Sequence, residues 1–331
     1  MNVLVTGGSG FIGGYLVGQL LDAEHVVSIY DSRPSHYFPT ITRLGDVRDR
    51  DDLTQAVNGK EVIFHLAAEH RDDVKPVSLY QDVNVKGAAN VVAAAKATGC
   101  RRVIFTSSVA VYPLNAGCPD EEFLPVPFNA YGESKLAAEK LFREWAEHDP
   151  EVSVTVVRPC VVFGEGNRGN VYNLLKQIQS GRFIMVGDGR NRKSLAYVRN
   201  LVPFLISRMG SHPGFHVFNY ADKPDLSTDE LVRFARQSLR GNGRPSRIRV
   251  PYAIGVAAGY CCDIAAAVLG RGLPISYIRV KKFCADTTVD AGKVDRSGFK
   301  APFSIEEGLR RMIEADFLKH PDSRPAFEGQ G

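Results

Sequence analysis

Through roughly its first half the chain alternates short apolar runs with amphipathic stretches, and this alternation limits the fold more than any other feature. NVLVT, VVSIYD, EVIFHLAA, RRVIFTSSVAVY and VSVTVVRP are brief and rich in β-branched residues, as strands buried on both faces are. Between them lie a helical pattern carrying Phe11, Ile12, Leu16, Leu20 and Leu21, the polar DDLTQAV, a long run ending near Thr98, and YGESKLAAEKLFREWAEH. Strands separated by helices predict βαβ units, and right-handed crossovers turn these into a doubly wound parallel α/β sheet. After Gly164 the pattern loosens. NVYNLLKQIQ and STDELVRFARQSL mix with the shorter FIMVG, HVFNYA and IRVP. The expected organisation is a dinucleotide-binding-type domain over 1–164 and a smaller mixed α/β substrate domain over 165–318, with one strand–helix unit returned to the sheet. Residues 319–331 read as a frayed tail.

The apolar fraction of 44% and charged fraction of 24% exclude collagen, a disordered chain and a disulfide scaffold. Six scattered cysteines form no C-x-x-C pair, so reduced thiols and no metal site are expected. The opening residues place strand-like Val3 to Val5 and a glycine cluster where a secretory leader has its apolar core, which predicts a cytoplasmic protein.

TGGSGFIG follows the first strand and opens a helix, with Gly7, Gly10 and Gly13 in a G-x-x-G-x-x-G spacing and Phe11 and Ile12 in the turn. Gly7 allows the tight turn, Gly10 allows backbone to approach a pyrophosphate, and Gly13 lets helix and strand touch. This is the fingerprint of a Rossmann domain. Asp31, ending the second strand, would accept the ribose hydroxyls and repel a 2′-phosphate, favouring NAD; Arg33 beside it keeps NADP open.

Tyr131 and Lys135 stand four apart in a helical pattern, so they share a face and the ammonium can favour the phenolate. Ser107 and Ser108 end the preceding strand, at the sheet edge where doubly wound folds bind ligands. With TGGSGFIG, Asp31, GDVRD, HLAA, Asn84, TSS, Tyr131-x-x-x-Lys135 and Arg158-Pro159 in this order, the chain resembles the extended short-chain dehydrogenase/reductase family of nucleotide-sugar epimerases and dehydratases.

The resemblance implies that Asp46 and Val47 meet the adenine and that Leu66, Ala67 and Ala68 line the cofactor phosphates. Asn84 and Pro159 complete that cofactor set, and Lys135 also holds the nicotinamide ribose. Ser108 would bind a substrate hydroxyl, with Ser107 beside it, and Tyr131 would exchange the proton. Arg192, Lys193 and Lys281 are the expected diphosphate contacts; a solvated cationic loop explains Arg192 and Lys193 equally well.

Dehydratases of this family carry Asp-Glu after the strand-end Thr/Ser, whereas this chain reads Ser107-Ser108-Val109, which disfavours water elimination. Val161 stands where UDP-galactose epimerases place a phosphate-contacting asparagine. Longer runs such as SHYFPTIT, AAEHRDDVKPVSLYQDVNV, FGEGNRGNVYNLLKQI and PYAIGVAAGYCCDI are similar to bacterial 4-epimerases that act on N-acetylglucosamine linked to undecaprenyl diphosphate. That narrower resemblance implies a peripheral enzyme at the cytoplasmic leaflet, supplying sugar for O-antigen assembly; the wider family implies a homodimer. A soluble UDP-HexNAc 4-epimerase, a 4-ketoreductase and a non-catalytic dinucleotide sensor are the alternatives.

Pro251 to Leu269 form a long apolar run with one charge, Asp263. Gly255, Gly259 and a central acid argue against a membrane span. Tyr252, Val256, Tyr260, Ile264 and Val268 recur every four residues, either as the core face of a buried helix or as an interfacial helix on anionic lipid. From Arg240 to Lys282 eight basic residues (Arg240, Arg244, Arg247, Arg249, Arg271, Arg279, Lys281, Lys282) face that one acid, so this stretch carries +7 in a chain whose total is only +4. It lacks the interleaved aromatics of a nucleic-acid platform, so no nucleic-acid partner is expected.

Overall fold

Seven parallel strands make the central sheet of the computed structural model, which describes residues 1–71, 74–239, 249–269 and 276–319. β1 (Asn2–Thr6), β2 (Val26–Asp31) and β3 (Thr42–Leu44) step outward on one side. β4 (Val62–His65), β5 (Arg102–Thr106) and β6 (Ser153–Pro159) step outward on the other. Three short strands leave the sheet: β7 (Val161–Phe163), β8 (Met185–Val186) and β9 (Arg192–Tyr197). The chain then returns as β10 (Gly214–Tyr220), which pairs with β6 at the edge, before β11 (Asp222–Ser227) and β12 (Arg249–Val250). The order is β10-β6-β5-β4-β1-β2-β3, so direction reverses between β1 and β4, the crevice where doubly wound sheets take their ligands.

Period-two alternation assigns the strand side chains to two cores. Val3 and Val5 join Phe11, Leu16, Leu201 and Leu205 from the Phe11–Asp22 and Val198–Ser207 helices. Leu4 points the other way, into a layer with Leu53, Val91, Ala94 and Phe142. The smaller unit is built from the mixed sheet β11-β9-β7 and the two-stranded β12-β8.

The Tyr252–Leu269 helix lies against this unit by its small residues. A Cβ on Gly255 would strike the Val186 side chain, and one on Gly259 would come within 2.9 Å of the Tyr277 backbone in the Tyr277–Cys284 helix. Asp263 accepts the Tyr277 amide at 3.0 Å, capping that second helix. The opposite face is bare: Ile254 is 59% exposed and Ile264 66%, with Ala257, Ala258 and Cys261 exposed between them. The buried-helix reading of this segment is therefore corrected. A true helix has 3.6 residues per turn, so the four-residue stripe drifts: Val256 turns half inward and Tyr260 stacks on Tyr277 at 4.3 Å. Among the described residues no helix is long and apolar enough to cross a membrane. Arg240, Arg244, Arg247, Arg271, the Val268 side chain and 320–331 of the expected tail fall outside the described residues.

Replacing Gly259 by Leu should destabilise the protein by about 1–3 kcal/mol in urea unfolding, because the added side chain forces the two helices apart. Ala257→Leu, on the exposed face, should change stability by less than about 0.5 kcal/mol.

Candidate active site

Gly7 sits at φ +74°, and a Cβ there would lie 2.6 Å from the Ala67 nitrogen. The turn after β1 is thus pressed onto the turn after β4, bringing the TGGSG and HLAA loops together at the reversal point. A Cβ on Gly13 would collide with the Gly7 carbonyl, so only glycine lets the helix start this close to the strand. The N-cap Gly10 supplies no side chain to the helix amides, and the first turn holds no acid, so this helix puts no acceptor of its own where its dipole favours an anion. Phe11 is buried in the core, whereas Ile12 is only partly so. Asp31 accepts the Ser9 amide at 3.0 Å and the Arg33 amide at 3.1 Å, which fixes its carboxylate at the end of β2. Asp46 pairs with Arg48 at 2.5 Å, and the Val47 side chain is core, so Val47 can face a cofactor only with its backbone.

The Ala130–His148 helix carries Tyr131 and Lys135. Asn129 caps it by accepting the Gly132 amide at 2.8 Å. Gly132 is needed where it stands: a Cβ would overlap the Ala110 carbonyl of the 109–111 turn that follows Ser108. That contact seats the Tyr131 turn on the Ser108 turn. Ser108 itself is half-buried and caps its turn by accepting the Ala110 amide at 3.1 Å. Lys135 is 2% exposed, its Nζ 4.6 Å from the centre of the Phe105 ring. Burial pulls this ammonium down to about 7, and the Glu139 carboxylate pulls it part of the way back.

Two expected contacts, Ser107 and Lys193, are revised. Ser107 is not turned to substrate: it is 3% exposed and its hydroxyl donates to Glu139 at 2.5 Å. Lys193 spends its Nζ on the Lys282 and Ala285 carbonyls, at 2.8 and 2.6 Å, which is what a cation does at the C-terminal end of a helix. Burial also lowers it to about 8. Arg192 is exposed and donates to the Asp225 carbonyl at 2.7 Å. Asn84 has a different employment from the one expected. Its amide accepts from the Glu69 nitrogen and donates to the Glu69 carbonyl and to Ser134, tying the HLAA loop to the Tyr131 helix. Asn84 lies in a π-helical segment, Gln81–Lys86, a widened turn that helices often place at functional sites.

Sequence reasoning missed Glu139 and its partners. Glu139 repeats the spacing of Tyr131 and Lys135 one turn further on, a signal that was there to be read. It is 4% exposed and takes two hydrogen bonds from Arg158, at 3.0 and 2.6 Å. Arg158 continues to the Tyr112 hydroxyl at 2.6 Å, and Tyr112 to Asn219 at 2.9 Å. The network joins β5, β6, β10 and the Tyr131 helix beneath the site. Beside it His65 is wholly buried and hydrogen-bonded to Thr6 at 2.8 Å; burial and the Lys135 charge depress it to about 3, so it is neutral.

A profile of the NAD dependent epimerase/dehydratase family matches residues 3–219. The chain belongs to this family. It is 49% identical over 319 residues, 96% of each chain, to the N-acetyl-alpha-D-glucosaminyl-diphospho-ditrans,octacis-undecaprenol 4-epimerase of Escherichia coli O157:H7. It is 29% identical to the UDP-glucose 4-epimerase of Vibrio cholerae, over 95% of each chain. Among solved structures, MoeE5 in complex with UDP-glucose and NAD superposes with a TM-score of 0.75 at 27% identity, covering 95% of this chain and 98% of that one. NAD is the cofactor of this family member, and the Gly7–Ala67 cradle, the acid-free helix N-terminus and the Asp31 carboxylate fit it.

Lys135 has a stability consequence. Its folded value near 7 lies below the unfolded ~10.4, so the unfolded chain binds more protons between those pH values and stability rises with pH across them. Below pH 7 the folded protein carries the whole cost of the buried charge. In the cofactor-free protein, Lys135→Met should abolish turnover yet raise unfolding stability, by about 1 kcal/mol or more at pH 6.5 relative to its effect at pH 9.5. Equal effects at both pH values would show that the buried ammonium is not strained.

Proposed function

We propose that this enzyme inverts C4 of N-acetylglucosamine carried on undecaprenyl diphosphate, at the cytoplasmic face of a membrane. The observation that carries this reading is the 49% identity running through 96% of both chains to the relative with that substrate in its name, against 29% to the UDP-glucose relative. The absence of a carboxylate after Ser108 supports epimerisation over elimination.

In this reading Ser108 holds the C4 hydroxyl and Tyr131, as phenolate, removes its proton; Lys135, on the same helix face, keeps the phenolate stable. The chemistry NAD supplies when bound is removal of hydride from C4 and its return. Once C4 is a ketone, the sugar turns about its link to the diphosphate and presents its other face. Tyr131 then gives the proton back to the new C4 oxygen. Atoms balance, with no net change in the cofactor. The binding set proposed for NAD is Gly7, Gly10, Phe11, Ile12 and Gly13 at the first turn, Asp31 for the ribose, Asp46 and Val47 near adenine, and Leu66, Ala67, Ala68, Lys135 and Pro159 along the crevice. Asn84 serves it indirectly, by holding the HLAA loop.

The Tyr252–Leu269 helix supports the membrane part. Ile254, Tyr260 at 52% exposure and Ile264 are large apolar groups offered to solvent. Arg279 and Lys281 are exposed on the helix packed against it, and such cations near anionic lipid are each worth about 1 kcal/mol. An apolar face beside a basic one suits a helix lying in the headgroup region.

Supplied separately with undecaprenyl-diphosphate-GlcNAc and UDP-GlcNAc, the enzyme should convert the lipid-linked sugar at least tenfold faster; preferential conversion of UDP-GlcNAc would overturn the reading. Tyr131→Phe should lose turnover by at least a hundredfold while NAD titrates as in the parent, in line with the size of general acid–base effects. In vesicle sedimentation with phosphatidylglycerol, the pair Ile254→Asp and Ile264→Asp should release the protein to the supernatant, and undiminished binding would remove this helix from the membrane contact.

A further inference from the structure

Tyr131 is the second residue of its helix, a location at which the helix itself does little to aim the side chain. Further along a helix, the preceding turn blocks one of the three staggered rotamers. At the second position no turn stands behind the ring, so the direction of the phenol has to be set from outside the helix. For a group that passes a proton the requirement is severe: a displacement of about 1 Å can cost on the order of a hundredfold in rate.

Two contacts that bear on Tyr131 come from one stretch of chain. The Ser134 hydroxyl donates to the Tyr131 carbonyl at 2.7 Å and accepts from Asn84 at 2.8 Å, which steadies the backbone of the first turn. Four residues before Asn84 stands Tyr80, at the end of the short Ser78–Tyr80 helix that runs on into the π-helical segment. Its ring lies beside that of Tyr131, with centres 6.3 Å apart and planes inclined by 54°. A tilted pair at this separation is within the range of favourable aromatic contact. Tyr80 is itself firmly placed. It is 5% exposed, and its hydroxyl donates to the Arg71 carbonyl. Arg71 pairs with Glu69 at 2.8 Å, and Asn84 bonds both the amide and the carbonyl of Glu69. Tyr80 and Asn84 therefore grip the loop that continues from Leu66–Ala68 as well as the turn that carries Tyr131.

We propose that Tyr80 is a positioning residue for Tyr131: its ring is the wall that selects the direction of the reactive phenol, and its hydroxyl fastens that wall to the loop after β4. The claim rests on the proton-transfer role given to Tyr131 above. Tyr80 acts through Tyr131 and exchanges no proton of its own, its hydroxyl being spent on Arg71.

Tyr80→Phe and Tyr80→Leu both lose the bond to Arg71, and only the second loses the ring, so the difference between them reads the ring alone. With NAD saturating and undecaprenyl-diphosphate-GlcNAc as substrate, Tyr80→Phe should keep kcat within threefold of the parent. Tyr80→Leu should fall at least tenfold below Tyr80→Phe in kcat, while KM and NAD affinity differ by less than twofold between the two. Equal kcat in the two variants would overturn the proposal, as would a Tyr80→Leu defect confined to KM or to NAD affinity. Should Tyr80→Leu fail to bind NAD, Tyr80→Met, closer to tyrosine in length, is measured in its place. A second measurement does not depend on turnover. In crystals of the NAD complexes, the Tyr131 ring should hold one rotamer in the parent and in Tyr80→Phe, and a second or different one in the variant without the ring. One unchanged rotamer throughout counts against the positioning role. Undiminished turnover in Tyr131→Phe would instead remove the proton-transfer role on which the claim rests, so the two failures are distinct.

Discussion

The buried pair between Glu139 and Arg158 holds the end of β6 to the helix that carries Tyr131 and Lys135. Both side chains are nearly inaccessible, at 5% and 3% exposure, so their hydrogen bonds must be complete for the pair to be tolerated at all. Completion comes from three directions: Ser107 from the end of β5, Tyr112 from the segment beyond it, and Asn219 from β10 through Tyr112. Removing one member would leave a charge without a partner in the interior, a loss of about 3–5 kcal/mol by the usual measure of such pairs. The helix cannot slide along its axis without breaking these bonds, and so Tyr131 and Lys135 inherit a fixed position.

At the sheet's reversal point the same precision is reached by omission. Gly7 and Gly13 have no Cβ, and backbone fills the space where one would be. This sets the HLAA loop against the start of the first helix. Asn84 then links that loop to Ser134, and hence to the helix that carries Tyr131 and Lys135, so the HLAA loop and that helix belong to one bonded frame. The cost of the arrangement falls on Lys135, a buried ammonium held near Phe105, where its charge is unfavourable for stability.

The smaller unit is organised by a different constraint. Its last long helix packs through Gly255 and Gly259, and because both contacts are on one side, the larger apolar residues are left facing outward. Ile254 and Ile264 are thereby displayed as exposed apolar groups, the kind of surface that marks an interaction site.

Much of this was legible without coordinates. Strand and helix periods gave the doubly wound sheet, the glycine spacing gave the cofactor turn, and the four-residue spacing of Tyr131 and Lys135 put them on one helix face, because all three are local in the chain. Glu139 was within reach of the same spacing argument, but its partners Ser107, Arg158, Tyr112 and Asn219 are brought together from distant strands, and no local pattern announces that. The same limit explains Ser107 and Lys193. Sequence shows where each stands along the chain, while packing decided which way their polar atoms turn, towards Glu139 and towards the end of a helix. It explains the 252–269 segment too: its apolar residues were plain to read, but which side faced the protein depended on where two glycines met Val186 and Tyr277. The sequence by itself determined the sheet, the turn and the helix face that Tyr131 and Lys135 share, since these follow from spacing along one strand or helix; the tertiary structure alone decided burial, charge compensation and the exposed apolar face, since each requires atoms from elements far apart in the chain.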